Sequence, residues 1–264
     1  MALGNAYVAR DAQAIFYHPA LLATDGVGAS AQRFGEGSTH VTIAGGMEWF
    51  DGAVGIGASF LEYGANGQTP SGLLRDVGAL GLNGPFAASE FMASAGYARE
   101  VVDGLRAGAV AKVIGQRLAG AHGSTAAVDL GLGMEAGPVT LALSAQNLGP
   151  ELEIGSEALP LAKRVTFGAS TRRTPVGPLD IGLAGQVTRD GAGDILPGGG
   201  VEVAWWPVIG RVFVARIGVQ RVVDGVQSAL TFGGGFEGDR IRIDYAFQGF
   251  DSLEGAHRFG LAFR

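Results

Sequence analysis

The stretch Arg240-Ile241-Arg242-Ile243-Asp244-Tyr245-Ala246-Phe247-Gln248 decides the fold. In a β-strand successive side chains point to opposite faces. Ile241, Ile243, Tyr245 and Phe247 therefore share one face, and Arg240, Arg242, Asp244 and Gln248 share the other. The final segment repeats the scheme, with Phe259, Leu261 and Phe263 set against Arg258, Gly260, Ala262 and Arg264. Further back, Leu179, Ile181, Leu183 and Val187 oppose Asp180, Gly182, Gln186 and Thr188. Val139, Leu141 and Leu143 oppose Thr140, Ser144 and Gln146, and Val128, Leu130, Leu132 and Met134 oppose Asp129, Gly131, Gly133 and Glu135. This period of two dominates from Val27 onward.

A soluble sandwich alternates as well, and the second face separates the two readings. Here it carries charges within the strands (Arg164, Asp180, Glu202, Arg216, Arg242, Asp244) among many glycines and alanines. A polar, mixed-charge interior with an apolar exterior is the pattern of a transmembrane barrel. The segments number about fourteen and run to roughly 9–12 residues, the length a tilted strand needs to cross a bilayer. An even count suits a bacterial barrel. The expected fold is all-β, an antiparallel transmembrane β-barrel of about fourteen strands with a short N-terminal helical hatch. Residues 49–52, 137–138 and 238–239 read as tight turns, and 64–89, 148–162 and 189–198 as longer loops. With both termini periplasmic, the tight turns fall on the periplasmic side. Trp49, Phe50, Trp205 and Trp206 adjoin those turns, where aromatic rings form an interfacial girdle.

Composition agrees. Of 264 residues only 17% are charged, against roughly a quarter in ordinary soluble domains, while 47% are hydrophobic. No run of ~18 apolar residues is present to form a transmembrane helix, and lipid accepts only helices and closed barrels. With no Cys, disulfide frameworks, thiol catalysis and cysteine-ligated zinc are excluded together. A net charge of −6 argues against a nucleic-acid partner. Met1-Ala2-Leu3-Gly4 has neither the basic n-region nor the apolar core of a signal peptide. An outer-membrane location therefore implies a leader that was removed or not included.

Residues 1–26 differ from the rest. Ala2, Ala6, Ala9, Ala12 and Ala14 indicate a small helical piece, broken at Pro19. We read 1–26 as a hatch folded into the mouth of a barrel formed by 27–264, with small inner-face residues letting it approach the wall.

Catalytic signatures are missing: there is no G-x-S-x-G elbow and no H-E-x-x-H. His18, His40, His122 and His257 are scattered. Gly78-x-x-Gly81-x-x-Gly84 and Gly131-x-Gly133 lack the lysine and the strand–loop–helix setting of a phosphate loop. Asp129 with Glu135, or Asp180 with Glu202, reads as part of a charge-balanced lumen facing Arg164, Arg216, Arg242 and Arg258. No catalytic residue, metal ligand or cofactor is expected.

The opening Ala2-Leu3-Gly4-Asn5-Ala6-Tyr7-Val8-Ala9, followed by Ala14-Ile15-Phe16-Tyr17-His18-Pro19-Ala20-Leu21-Leu22-Ala23, resembles the N-terminal signature of the PorV/PorQ family. That family is related to the FadL-type long-chain fatty-acid transporters. Ser144-Ala145-Gln146-Asn147-Leu148-Gly149 with Leu159-Pro160-Leu161, and Asp244-Tyr245-Ala246-Phe247 with His257-Arg258-Phe259-Gly260-Leu261, resemble its mid-barrel strand end and C-terminal hairpin. The resemblance implies a fourteen-stranded, FadL-like outer-membrane barrel with an N-terminal hatch. Where the family has Asn-Pro-Ala this chain has His18-Pro19-Ala20, so a capping Asn is replaced. The end, Phe259 to Arg264, resembles an outer-membrane assembly signal with one extra residue, Arg264.

Two functions follow as expectations. The first is a hatch-plugged, non-enzymatic transporter of hydrophobic small molecules. The second, implied by PorV-type relatives, is a type IX secretion or surface-attachment component that docks cargo or partner proteins. Expected partners are the lipid bilayer and a hydrophobic ligand, or secretion-system proteins. The hatch and lumen candidates are Asn5, Asp11, His18 and Pro19, with Arg242, Asp244 and Arg258 as wall partners.

Overall fold

A computed structural model of the chain describes residues 3, 11–24, 26–34, 37–63, 88–118, 120–222, 227–250 and 255–263. Asn5, Arg264, the 78–84 glycine motif and nearly all of the expected loop 64–89 lie outside the described residues.

The strands are β1 (Val27–Arg33), β2 (Thr39–Trp49), β3 (Gly52–Tyr63), β4 (Ala88–Val102), β5 (Leu105–Leu118), β6 (Ala121–Ala136), β7 (Val139–Leu148), β8 (Leu152–Ile154), β9 (Glu157–Leu159), β10 (Arg164–Thr171), β11 (Thr174–Val176), β12 (Leu179–Asp190), β13 (Ile195–Val208), β14 (Arg211–Gln220), β15 (Gln227–Glu237), β16 (Ile241–Phe250) and β17 (Ala256–Phe263). Neighbours in sequence pair antiparallel around a closed wall, and β1 joins β17 with Val27 opposite Phe263. β10 and β11 both pair with β12 and are separated by Arg172–Arg173, so they occupy one position in the wall. β8 and β9 form a separate hairpin. The wall is thus a closed antiparallel barrel of 14 strands.

Burial inverts that of a soluble protein. Ile43, Ile56, Phe60, Phe91, Leu130, Phe167, Leu183, Phe232, Ile243 and Phe259 are all exposed on the outer surface. Ser30, Thr42, Ser94, Lys112, Asp129, Ser144 and Gln146 are buried on the inner one. Continuous apolar exposure on this scale would aggregate in water; closure leaves no unpaired strand edge, as a bilayer requires.

The connections depart from the sequence reading in two places. The expected loop 189–198 is only the link from Asp190 to Ile195, because both strands run on through it. The 148–162 connection holds the β8–β9 hairpin, whose Leu152 and Ile154 are buried beside β6. Glu153 approaches β6 so closely that Gly123 has no room for a Cβ. The charges placed mid-strand are also adjusted, since Arg164 begins β10 and Asp180 is the second residue of β12.

Among the described residues the N-terminal piece contains two short 3-10 segments, Ala12–Phe16 and Pro19–Leu21, while Ala2, Ala6 and Ala9 lie outside the described residues. Asp11 caps the first, its Oδ1 accepting from the Ala14 amide at 3.1 Å. Pro19 opens the second rather than merely ending the first, because its missing N–H costs nothing in a first turn. Ala14, Ile15, Ala20, Leu21 and Leu22 are all at most 1% exposed, so this segment forms the apolar filling of an otherwise polar lumen.

Candidate functional site

Glycines make the contact between the N-terminal segment and the wall possible. A Cβ on Gly57 of β3 would lie 2.7 Å from the Phe16 ring, and one on Gly55 2.7 Å from Leu22. On Gly108 of β5 it would lie 2.5 Å from the Pro19 carbonyl carbon, and on Gly131 of β6 2.9 Å from the Ala20 nitrogen. Backbone thus meets backbone at β5 and β6, and at β3 the wall backbone receives the Phe16 and Leu22 side chains, at distances that leave no room for a Cβ. Gly131 and Gly133 serve this packing, with Gly133 facing Leu21 and Ala20.

Polar side chains of the wall hold the same segment by its carbonyls and side chains. Arg106 of β5 donates from Nε to the Ala20 carbonyl at 3.1 Å and from Nη2 to the Leu22 carbonyl at 3.2 Å. Gln146 of β7 donates to the Phe16 carbonyl at 3.2 Å. Arg242 of β16 pairs with Asp11 at 2.8 Å. Arg258 of β17 donates to Gln13 Oε1 at 3.1 Å, and its guanidinium lies 5.7 Å from the centre of the Tyr17 ring.

Two charge networks stand behind these contacts. In the first, Asp129 is fully buried and receives Lys112 Nζ at 2.6 Å, the Asn147 amide at 2.7 Å and Gln146 Nε2 at 3.2 Å. Lys112 also donates to Asn147 Oδ1 at 2.7 Å, and Arg164 Nε donates to Gln146 Oε1 at 2.8 Å. Asn147 takes a φ of 58°, a conformation Asn tolerates better than most residues. It lies within a register shift between β6 and β7, and its amide is turned toward Asp129. A buried charge costs several kcal/mol unless it is paired and hydrogen-bonded, and the buried Lys112 and Asp129 have that compensation.

The second network is a ladder. Arg173 bridges Glu202 and Glu237, Arg216 bridges Glu202 and Asp244, and Arg242 bridges Asp244 and Asp11. It runs from the break between β10 and β11 to the N-terminal segment. Beside it lies a cavity of about 500 Å³, lined by Asp11, Gln13, Ser30, Glu202, Arg216, Arg242 and Arg258 together with Ala12, Ala29, Ala184 and Leu261.

Of the residues singled out from sequence, Asp11, Arg242, Asp244 and Arg258 come together at this cavity. His18 and Pro19 lie on the other side, against β5 and β6. His18 is 3% exposed, neither ring nitrogen has a hydrogen-bond partner, and its side chain makes no cap to the following turn. Burial pushes its pKa down to about 4, so the ring is neutral at pH 7. Three of the carboxylates read as part of a charge-balanced lumen are paired with cations. Asp129 goes to Lys112, Glu135 to Arg172, and Glu202 to Arg173 and Arg216. Arg106, Lys112, Gln146, Arg173 and Glu237 complete the site and were not singled out. Gln146 was legible as an inward residue, whereas Arg173 lies in a connection that alternation cannot assign. Among the described residues no group of three or more His, Asp or Glu could hold a metal ion.

No protein-family model matches the sequence, and no curated protein does. Solved structures do match in fold. The Pseudomonas putida toluene transporter TodX superposes with a TM-score of 0.61 at 11% identity, over 99% of this chain and 96% of that one. The CymD monoaromatic hydrocarbon channel gives 0.62 at 10% identity, over 96% and 91%. A Pseudomonas aeruginosa FadL homologue gives 0.61 at 9% identity, over 98% and 95%. The chain has the FadL-like barrel fold.

Proposed function

We propose that this chain is a bacterial outer-membrane channel for hydrophobic or amphipathic small molecules, in which residues 1–26 act as a hatch within the barrel 27–264. The observation that carries the reading is the manner in which the lumen is filled. The apolar segment 12–22 rests on a glycine floor and is tied to the wall by a few polar side chains, beside a cavity with both apolar and charged lining. Similarity in fold to proteins named as hydrocarbon channels supports the transport class and the outer-membrane location. The finer placement near PorV/PorQ rests on the sequence resemblance. The secretion reading has no observation of its own among the described residues.

Within this reading Asp11, His18 and Pro19 belong to the moving part, and Arg242, Asp244 and Arg258 to its catch, with Asn5 upstream. In liposomes the full chain is expected to speed entry of a fluorescent fatty acid or a small aromatic hydrocarbon over protein-free vesicles. Asp11→Ala and Arg242→Ala should each raise the rate, and the double variant by less than the two effects combined, since both remove the Asp11–Arg242 contact. Flux no faster than through protein-free liposomes would exclude the reading.

A further inference from the structure

On the outer surface, at the end with the short connections, the β2–β3 turn does more than close its hairpin. Phe50 and Asp51 both adopt left-handed backbone, with φ of 45° and 55°. Such turns are normally made by Asn-Gly or Asp-Gly, and an aromatic residue there is strained. The conformation is held from outside the hairpin, because the Tyr97 hydroxyl of β4 donates to the Phe50 carbonyl at 2.6 Å. Gly52 makes room for that approach, since a Cβ there would lie 2.7 Å from the Tyr97 ring. Trp49 and Phe50, with ring centres 4.6 Å apart, are thereby carried over the outer wall. Beneath them the wall presents Ala95, Ala109 and Ala111, where neighbouring outward rows carry Ile56, Phe91 and Leu130. The result is an apolar groove of about 610 Å³.

A cation stands just beyond the lining residues, two positions after Tyr97 on the same face of β4. Arg99 continues the outward row of Ala95 and Tyr97, is exposed, and is the register partner of Gly52. Its recorded contact among the described residues is the Glu100 carbonyl at 3.5 Å, not a carboxylate.

We infer that this groove binds one glycerophospholipid of the periplasmic leaflet, an acyl chain lying on the alanine floor under the aromatic turn and the phosphate on Arg99. The inference rests on the membrane reading above but not on what the lumen carries. The order of features, apolar trough, aromatic lip, then cation, is the order in which a lipid presents chain, interface and phosphate. Guanidinium is well suited to phosphate, donating two hydrogen bonds at once. A neutral hydrophobic solute would leave Arg99 unused. A second copy of this chain would have to set a carboxylate against Arg99 on a surface dominated by apolar side chains.

The test is native mass spectrometry of the full chain released from detergent after incubation with defined phospholipids. One phospholipid per chain is expected to survive release. Ala109→Phe, which fills the floor, should lower the retained fraction roughly tenfold, or ~1.4 kcal/mol. Arg99→Gln should lower it without touching the floor, and Ala31→Phe, on the outer face of β1, should leave it unchanged. Far-ultraviolet circular dichroism establishes that each variant keeps its barrel, and Arg99→Gln carries the test if Ala109→Phe does not. Retention equal in all variants, no retained lipid, or a dimer that Ala109→Phe dissolves would each overturn the inference. Flux through the lumen that persists without lipid retention counts against this site alone, and lipid retention without flux counts against the transport reading alone.

Discussion

His18 couples the charge state of one side chain to the seating of the N-terminal segment. Its ring is buried among backbone of β6 and its own turn, and its pKa falls from 6.5 to about 4 when the segment is seated. The seated state therefore binds fewer protons than the released one, so seating is strongest above pH 6.5. It weakens as pH drops from there toward 4, by about 1.4 kcal/mol per unit. Hydrogen exchange of residues 12–22, corrected for intrinsic rates, should accelerate between pH 7 and pH 5. In His18→Gln that dependence should be much flatter; an unchanged slope would assign the effect to Asp11 or another group. None of this was legible from the His-Pro-Ala string. The sequence showed His18 in place of a capping Asn, and the side chain indeed makes no cap, but its importance comes from Gly131, more than a hundred residues away.

At the scale of elements, strand existence and facing were legible because period two is a local property of the chain. The outward row of Ile241, Ile243, Tyr245 and Phe247 and the inward row of Arg242, Asp244 and Gln248 stand as the alternation required. Strand ends were less so. Asp190 and Ile195 bound a short link that looked longer, because Gly191, Gly193 and Pro197 read as loop residues although Pro197 sits within β13. The β8–β9 hairpin was hidden for the opposite reason, three-residue strands being too short to show a period. The inner glycines were recognised as small, though not as matched to particular residues of the N-terminal segment. Gly57→Leu is a direct probe of that match. The added side chain collides with Phe16 and Ile15, so limited proteolysis should cut within residues 12–22 while circular dichroism keeps the strand signal. Protection equal to the unaltered chain would mean that the segment has slack the contacts do not indicate.

For the molecule as a whole, the closed fourteen-strand wall and the polar lumen followed from composition and alternation together, and most of the charge ladder (Asp11, Glu202, Arg216, Arg242 and Asp244) was named in advance. Arg173 and Glu237 of the ladder, and Lys112 and Arg106 outside it, were missed because pairing across a barrel depends on which strands face one another around the circumference. A linear pattern carries no such information. Position around the circumference also has a consequence in time. Two of the four wall side chains holding the N-terminal segment, Arg242 and Arg258, lie on β16 and β17, the last hairpin of the chain, and β17 is the strand that pairs with β1. Residues 12–22 can therefore complete their contacts only after β16 and β17, made much later, are in place. In a pulsed hydrogen-exchange refolding experiment, amides of residues 12–22 should gain protection no earlier than those of β16 and β17. During insertion the lumen passes through a stage with wall but no lock, and whatever guides the final strand into the seam also determines when the channel first becomes shut.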